Sequence, residues 1–121
     1  AYVGFKRNLT GLVEMIVGAE WILFSPVVLG ELMFGFRNGT KFKENMKGLD
    51  EFLLHDVVEI PQIGKTTSDR YSRIAAQLKR KGTPIPSNDI WIAAQTMECG
   101  AELITSDRHF NKIDGLVHTT F

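Results

Sequence analysis

Three acidic residues stand at places in the sequence where a carboxylate needs an explanation. Glu31 is the only charged residue in the apolar segment from Trp21 to Phe36. Asp89 falls in the first turn of a predicted helix, and Asp107 follows a predicted buried strand. Each also has an ordinary interpretation, since Glu31 can face solvent, Asp89 can complement the helix dipole and Asp107 can form a turn.

Taken together, the three acids predict a site for a divalent cation. In a fold of alternating strands and helices, ligands collect beyond the carboxyl ends of the strands. Acids from three such units would meet there, and their repulsion is tolerable only where cations are bound. An all-oxygen site favours Mg²⁺ or Mn²⁺ over zinc, and the scattered His55, His109 and His118 show no ligand spacing. The chemistry typical of such a site is phosphodiester hydrolysis by a metal-activated water.

The elements that must position these acids follow from capping residues and apolar periodicity. Ser25, Thr66 and Ser87 are predicted helix caps, and Gly82 is a predicted helix end. Five helices are predicted, with approximate bounds 10–18, 26–36, 41–54, 66–81 and 88–99. Short β-like runs predict strands at 21–24, 57–60, 103–105 and 116–120. This alternation predicts an α/β fold of three layers, α/β/α, with a mostly parallel sheet.

Composition sets limits on the class of protein. With 121 residues, the chain is predicted to form a single domain over residues 1–121. The longest apolar segment, interrupted by Pro26 and Glu31, is too short for a membrane span, so no membrane association is expected. The single cysteine, Cys99, cannot form an internal disulfide, which suits the cytoplasm. The balance of 14 basic and 14 acidic residues leaves no global field for nucleic acid, so any RNA contact must be local.

Candidates for such a local contact are the basic residues Lys79, Arg80 and Lys81, just upstream of the loop that leads to Asp89. Lys6 and Arg7 form a second candidate patch. An alternative interpretation of the first cluster is structural, because cations at a helix C-terminus complement the helix dipole.

Two segments carry a family resemblance, RKGTPIPSNDIWIAAQTMECGAELITSDRHF at 80–110 and SPVVLGELMFGF at 25–36. The chain resembles PIN-domain ribonucleases of the VapC toxin type over essentially its whole length. That resemblance implies a PIN-like fold and an Mg²⁺- or Mn²⁺-dependent endoribonuclease, the toxin of a toxin–antitoxin module. It implies that Glu31, Asp89 and Asp107 are the catalytic metal ligands, with Thr105 and Asn88 supporting them.

The resemblance also implies partners for the chain. These are an RNA substrate, a cognate antitoxin protein and a second copy of the chain in a homodimer. Apolar residues at 27–36 and 41–54 could supply these interfaces, although packing in the core is an alternative role for them.

One departure from the family pattern leaves alternatives open. Family members begin with an apolar strand that ends in an aspartate, and both are expected to be missing because this chain opens at Ala1 and is N-terminally incomplete. The alternative is a catalytically degenerate PIN module that acts as a protein-binding scaffold. A phosphoacceptor signalling domain is a weaker alternative, since no lysine follows the strand at 103–105.

Overall fold

A computed structural model describes residues 2–3, 21–105 and 107–120. The predictions for a helix at 10–18 and for a basic patch at Lys6 and Arg7 lie outside these residues. The described elements, in chain order, are β1 (Tyr2–Val3), β2 (Ile22–Leu23), α1 (Pro26–Asn38), α2 (Phe42–Leu53), β3 (Val58–Glu59), α3 (Lys65–Lys81), α4 (Ser87–Glu98), β4 (Leu103–Thr105), a 3-10 helix (Arg108–Lys112) and β5 (His118–Thr120). Within these ranges, no helix has both the length and the apolar character needed to cross a bilayer.

The five strands form one parallel sheet in the order β3-β2-β1-β4-β5. Strand β1 occupies the centre, where Tyr2 is in register with Leu23 on one side and with Leu103 on the other. The predicted α/β class and mostly parallel sheet are therefore confirmed.

The expectation that the first central strand is missing was wrong. Tyr2 and Val3 form that strand and are paired on both sides. A run of two residues shows no alternation of apolar and polar side chains, so periodicity could not reveal it. The aspartate expected at the end of this strand does not follow it in the given sequence. Gly4 follows Val3, and the first acidic residue is Glu14.

The chain reverses its direction across the sheet next to β1. Strands β2 and β3 are added on one side of β1, and β4 and β5 on the other. The carboxyl ends of β1 and β4 thus border the crevice in which such folds bind ligands.

Two predicted helix ends are confirmed by their capping geometry. The Ser25 hydroxyl accepts the backbone N–H of Val27 at 3.1 Å and caps α1, whose first residue is a proline as expected. Helix α3 ends at Gly82, which takes a left-handed conformation with φ of 68°. A residue with a side chain would be strained there, so glycine fixes the end of α3.

Two other predicted caps were wrong by one or two residues. Helix α3 is capped at Gly64, whose N–H is bound by the Thr67 hydroxyl at 3.1 Å, so Thr66 is not the cap. Helix α4 is preceded by Pro86 in an extended conformation, and Ser87 is its first helical residue with no capping bond. A threonine inside the first turn can accept a hydrogen bond from the backbone N–H of the residue that precedes the helix. From sequence alone, such a threonine cannot be distinguished from one at the cap position.

Buried apolar residues from the sheet and all four helices form one core. Between α3 and α4, the rings of Tyr71 and Trp91 stack with centroids 4.2 Å apart. Inside the fold, the Ser25 hydroxyl donates to the Gln95 side chain, and the Gln95 amide donates to the Pro61 carbonyl at 3.0 Å. This buried network fixes the start of α1 against α4, the helices that carry Glu31 and Asp89.

Candidate metal centre

Asp89 is a buried carboxylate at the start of α4. Its side chain is 1% exposed, and its N–H donates to the Pro86 carbonyl at 3.1 Å. The residue lies in the first helical turn, where free backbone N–H groups and the helix dipole stabilise negative charge. Burial at that position gives the carboxylate a fixed direction.

Asp107 follows β4, as predicted, and is half-buried. Its backbone N–H donates to the hydroxyl of Thr105, which is 3.1 Å away and only 3% exposed. Thr105 therefore fixes the turn that carries Asp107. The supporting role at the site that the family resemblance implies for Thr105 stays a prediction.

His109 joins these two acids. It lies on the 3-10 helix after β4, and its Nδ1 is 3.1 Å from Oδ2 of Asp89. One ligand atom from each of Asp89, Asp107 and His109 lies within 4.8 Å of the others, so the three residues could hold a metal ion. We call this group the metal cluster.

Treating His109 as one of three scattered histidines was therefore wrong. Packing of the 3-10 helix against α4 brings its imidazole next to Asp89, twenty residues earlier in the chain. A usable signal was present in the sequence, since His109 is two residues after Asp107, the candidate ligand that follows a predicted buried strand. The group that could hold a metal thus contains two carboxylates and one imidazole.

Glu31 is not part of the metal cluster. It is half-buried on α1 and lines a shallow cavity of about 370 Å³, together with Asn88 at the start of α4. The other lining residues are Pro26, Val27, Gly30 and Phe34. Two of the three predicted acids are thus brought together. The third lies beside Asn88, the neighbour in sequence of Asp89.

The comparison with known sequences identifies the family. A model of the PIN domain matches residues 4–116. The chain belongs to the PIN domain family. Ribonuclease VapC2 of Rickettsia felis is 30% identical to this PIN domain over 105 residues, which are 86% of this chain and 77% of that protein. Ribonuclease VapC1 of Haemophilus influenzae is 26% identical, with the same coverage of 86% and 77%.

Solved structures share the fold of this PIN domain. The structure of VapBC2 from Rickettsia felis bound to a promoter DNA fragment matches with a TM-score of 0.79 and 27% identity, over 93% of this chain and 84% of that chain. DNA-bound VapBC from Salmonella typhimurium matches with a TM-score of 0.83 over 98% and 96%. Its identity is 19%, so this second likeness supports the fold alone.

The donor set of this PIN domain fits a divalent cation. Two carboxylates whose oxygens lie this close repel each other, and a bound cation relieves that repulsion. Carboxylate oxygens suit Mg²⁺ and Mn²⁺, and an imidazole nitrogen adds a ligand that Mn²⁺ binds better than Mg²⁺. Asp89 is buried, so its carboxylate has low-dielectric surroundings, whereas Asp107 is half-buried and His109 is exposed.

The predicted RNA-binding residues Lys79, Arg80 and Lys81 are exposed in the last turn of α3. The Lys81 ammonium forms an ion pair with Asp114 at 2.6 Å. This turn precedes the loop that leads to Asp89, so the three basic residues are close in sequence to one member of the metal cluster. Its contact with RNA stays a prediction.

Cys99 is a free, half-buried thiol at the end of α4. Burial, together with the negative charges of Glu98 and Glu59, raises the pKa of this thiol above its ordinary value. The raised pKa keeps the sulfur protonated at neutral pH and suits the predicted packing role.

Proposed function

We propose that this PIN domain is a divalent-metal-dependent endoribonuclease, the toxin component of a toxin–antitoxin module. The observation that carries the proposal is the metal cluster, in which acids separated by eighteen residues meet beyond the carboxyl end of β4. The similarity to ribonuclease VapC2 supports the RNA substrate. Hydrolysis of a phosphodiester bond is the reaction that fits both.

In this proposal the side chains have distinct roles. Asp89 and Asp107 hold the cation, and Thr105 keeps Asp107 in place through its hydrogen bond. When bound, the cation supplies positive charge against the phosphate and makes a water molecule more acidic. Glu31 and Asn88, which line one cavity, supply polar groups on the α1 side.

RNA cleavage by the purified protein should depend strictly on added metal. Without protein-bound cation, the repulsion between Asp89, Asp107 and an incoming phosphate is not compensated. We expect no product from single-stranded RNA in EDTA and restored cleavage after Mn²⁺ or Mg²⁺ is added in excess. The measurement is a gel assay of labelled RNA, with heat-denatured protein as the control. Cleavage at full rate in EDTA would contradict the proposal.

His109 bears on which cation the site would prefer. An imidazole ligand favours Mn²⁺ over Mg²⁺, since affinity for nitrogen donors rises along the transition series while Mg²⁺ prefers oxygen. We therefore assign Mn²⁺ as the better-bound ion, with Mg²⁺ as the weaker alternative.

Changing His109 to Gln should weaken Mn²⁺ binding by about tenfold or more, the scale of effect known for residues that support a metal site. Mg²⁺ binding should change by less than about threefold, because that ion gains little from nitrogen. Isothermal titration of the metal-free protein with each ion measures both values. His55→Gln is the matched control, since His55 is exposed and outside the cluster. Equal losses for the two ions would exclude a role of His109 in choosing between them.

A second candidate function has one specific observation in its favour. Family members are expected to carry an aspartate directly after the first strand, and here Gly4 follows β1. A degenerate PIN module that binds protein without cleaving RNA would fit a glycine at this position. Absence of both metal binding and cleavage in the two experiments above would favour the scaffold over the nuclease.

The proposed partners are an RNA substrate, an antitoxin protein and a second copy of the chain. Solved relatives with the same fold are VapBC assemblies, which supports the antitoxin. Two large apolar side chains that such a partner could cover are Phe34 on α1, 66% exposed, and Leu54 after α2, 82% exposed. The homodimer, the cytoplasmic location and the single domain over residues 1–121 stay predictions.

A further inference from the structure

Helix α3 concentrates the positive charge of a neutral chain. The protein has 14 basic and 14 acidic residues, yet α3 contains six basic residues and one acidic residue. The basic residues of its last turn complement the helix dipole. Arg70 and Arg73 lie in the first half of α3, where the dipole gives them no such stabilisation. Their presence needs another explanation.

These arginines share one face of α3. Arg70, Arg73, Gln77 and Arg80 follow the spacing i, i+3, i+7 and i+10, which places them in one row along the helix. The row lines a cavity of about 530 Å³, which we call the arginine cavity. The remaining lining residues are Ser72, Ile74, Ala76, Met97 and Asp114.

The positive charge of the arginine cavity is only partly neutralised within the protein. Arg73 pairs with Asp69, but both side chains are largely exposed, at 77% and 64%. Such exposed pairs are weak and exchange readily with other anions. The Nε–H of Arg70 is buried and has no hydrogen-bond acceptor among the described residues. A buried donor of this kind is stabilised by an anionic oxygen that enters the cavity.

The position of the cavity favours a polymer that also reaches the metal cluster. Asp114 on its wall binds the Gln77 amide at 2.8 Å and follows the 3-10 helix of His109. Arg80 lies at this same end of α3, next to the Lys81 that pairs with Asp114, and is followed by the loop that enters α4 at Asp89. Arg70 and Arg80 are separated by ten residues, or roughly 15 Å along the helix axis, which is room for more than one phosphate.

We propose that the arginine cavity binds backbone phosphates of single-stranded RNA outside the cleaved bond. The proposal rests on the proposed ribonuclease function, because it assumes that RNA occupies the metal cluster. Arginine is suited to this role, since its planar guanidinium can donate two parallel hydrogen bonds to one phosphate. Contacts of this kind add affinity and carry no base preference.

Equilibrium binding of a labelled single-stranded RNA, measured by fluorescence anisotropy in EDTA, tests the proposal without cleavage. The variants are Arg70→Gln and the exposed pair Arg73→Gln with Arg80→Gln. The matched control is Lys43→Gln with Lys47→Gln, which removes two exposed charges from α2. Circular dichroism and thermal unfolding establish whether each variant is folded. If Arg70→Gln does not fold, the Arg73→Gln and Arg80→Gln pair alone tests the proposal.

We expect about tenfold weaker binding for the arginine pair, with little change for the lysine control. The slope of log affinity against log salt should decrease by about 0.7 for each phosphate contact removed from a single strand. Equal binding by wild type, arginine pair and lysine control would overturn the proposal. Failure of the wild type to bind RNA would do so as well.

Two further arms separate the possible failures. Wild-type protein that cleaves RNA with Mn²⁺, combined with unchanged binding by the arginine variants, refutes the arginine cavity and leaves the ribonuclease intact. Bound RNA that is never cleaved refutes the ribonuclease and leaves the cavity intact. Poly-glutamate serves as the probe for an acidic protein partner. If the arginine variants lose binding to poly-glutamate but keep binding to RNA, the cavity is not an RNA site.

Discussion

Replacing Asp89 by Asn should reduce metal-dependent RNA cleavage by at least about a hundredfold. Mutation of residues that only support a metal ligand already lowers metal affinity or activity by about 10–100-fold. Asparagine keeps the shape of the side chain and removes the charge that holds the cation. The fold should persist, since relief of the repulsion between Asp89 and Asp107 offsets any lost hydrogen bond. The assay pairs cleavage rates in Mn²⁺ with the unfolding temperature of the metal-free protein.

The control for this experiment is Asp50→Asn, which removes an exposed acid from α2. It should cleave RNA at the wild-type rate. A folded Asp89→Asn protein that also keeps the wild-type rate would rule out Asp89 as a catalytic metal ligand. The nuclease proposal would then lose its main support.

Replacing Phe24 by Ala should destabilise the protein by about 3–5 kcal/mol, the range for removing a buried phenylalanine. Phe24 is fully buried next to β2, and its ring packs edge-on against Phe52 with centroids 5.6 Å apart. The cavity left behind would remove the packing between Phe24, next to β2, and Phe52 of α2. Urea unfolding followed by circular dichroism measures the change in free energy.

Phe34→Ala is the matched control for this second prediction. It removes the same side chain from α1, at a position that is 66% exposed. Its free energy of unfolding should change by less than about 0.5 kcal/mol, as expected of a surface position. Similar values for the two variants would mean that the core is not centred on Phe24 and Phe52.

Much of the fold could be predicted because local chemistry determines it. The pair Ser25-Pro26 dictates the start of α1, and Gly82 dictates the end of α3. The acids at 89 and 107 could be grouped because parallel strands direct their carboxyl ends to one edge of the sheet.

The remainder depends on tertiary contacts that no short segment encodes. Strand β1 exists through its pairing with two distant strands, and His109 meets Asp89 through packing of the 3-10 helix against α4. Whether Glu31 joins the metal cluster depends on how α1 packs, which the single charge in its apolar sequence does not specify. The arginine cavity was missed because Arg70 and Arg73 are unremarkable residues in an amphipathic helix.

The central place of β1 has a consequence for the order of events during synthesis. Tyr2 lies between Leu23 and Leu103, so the middle of the sheet cannot close until the ribosome has released the residues of β4. Asp107 and His109 emerge later still. A nascent chain therefore lacks the assembled metal cluster until β4 and the 3-10 helix have left the ribosome.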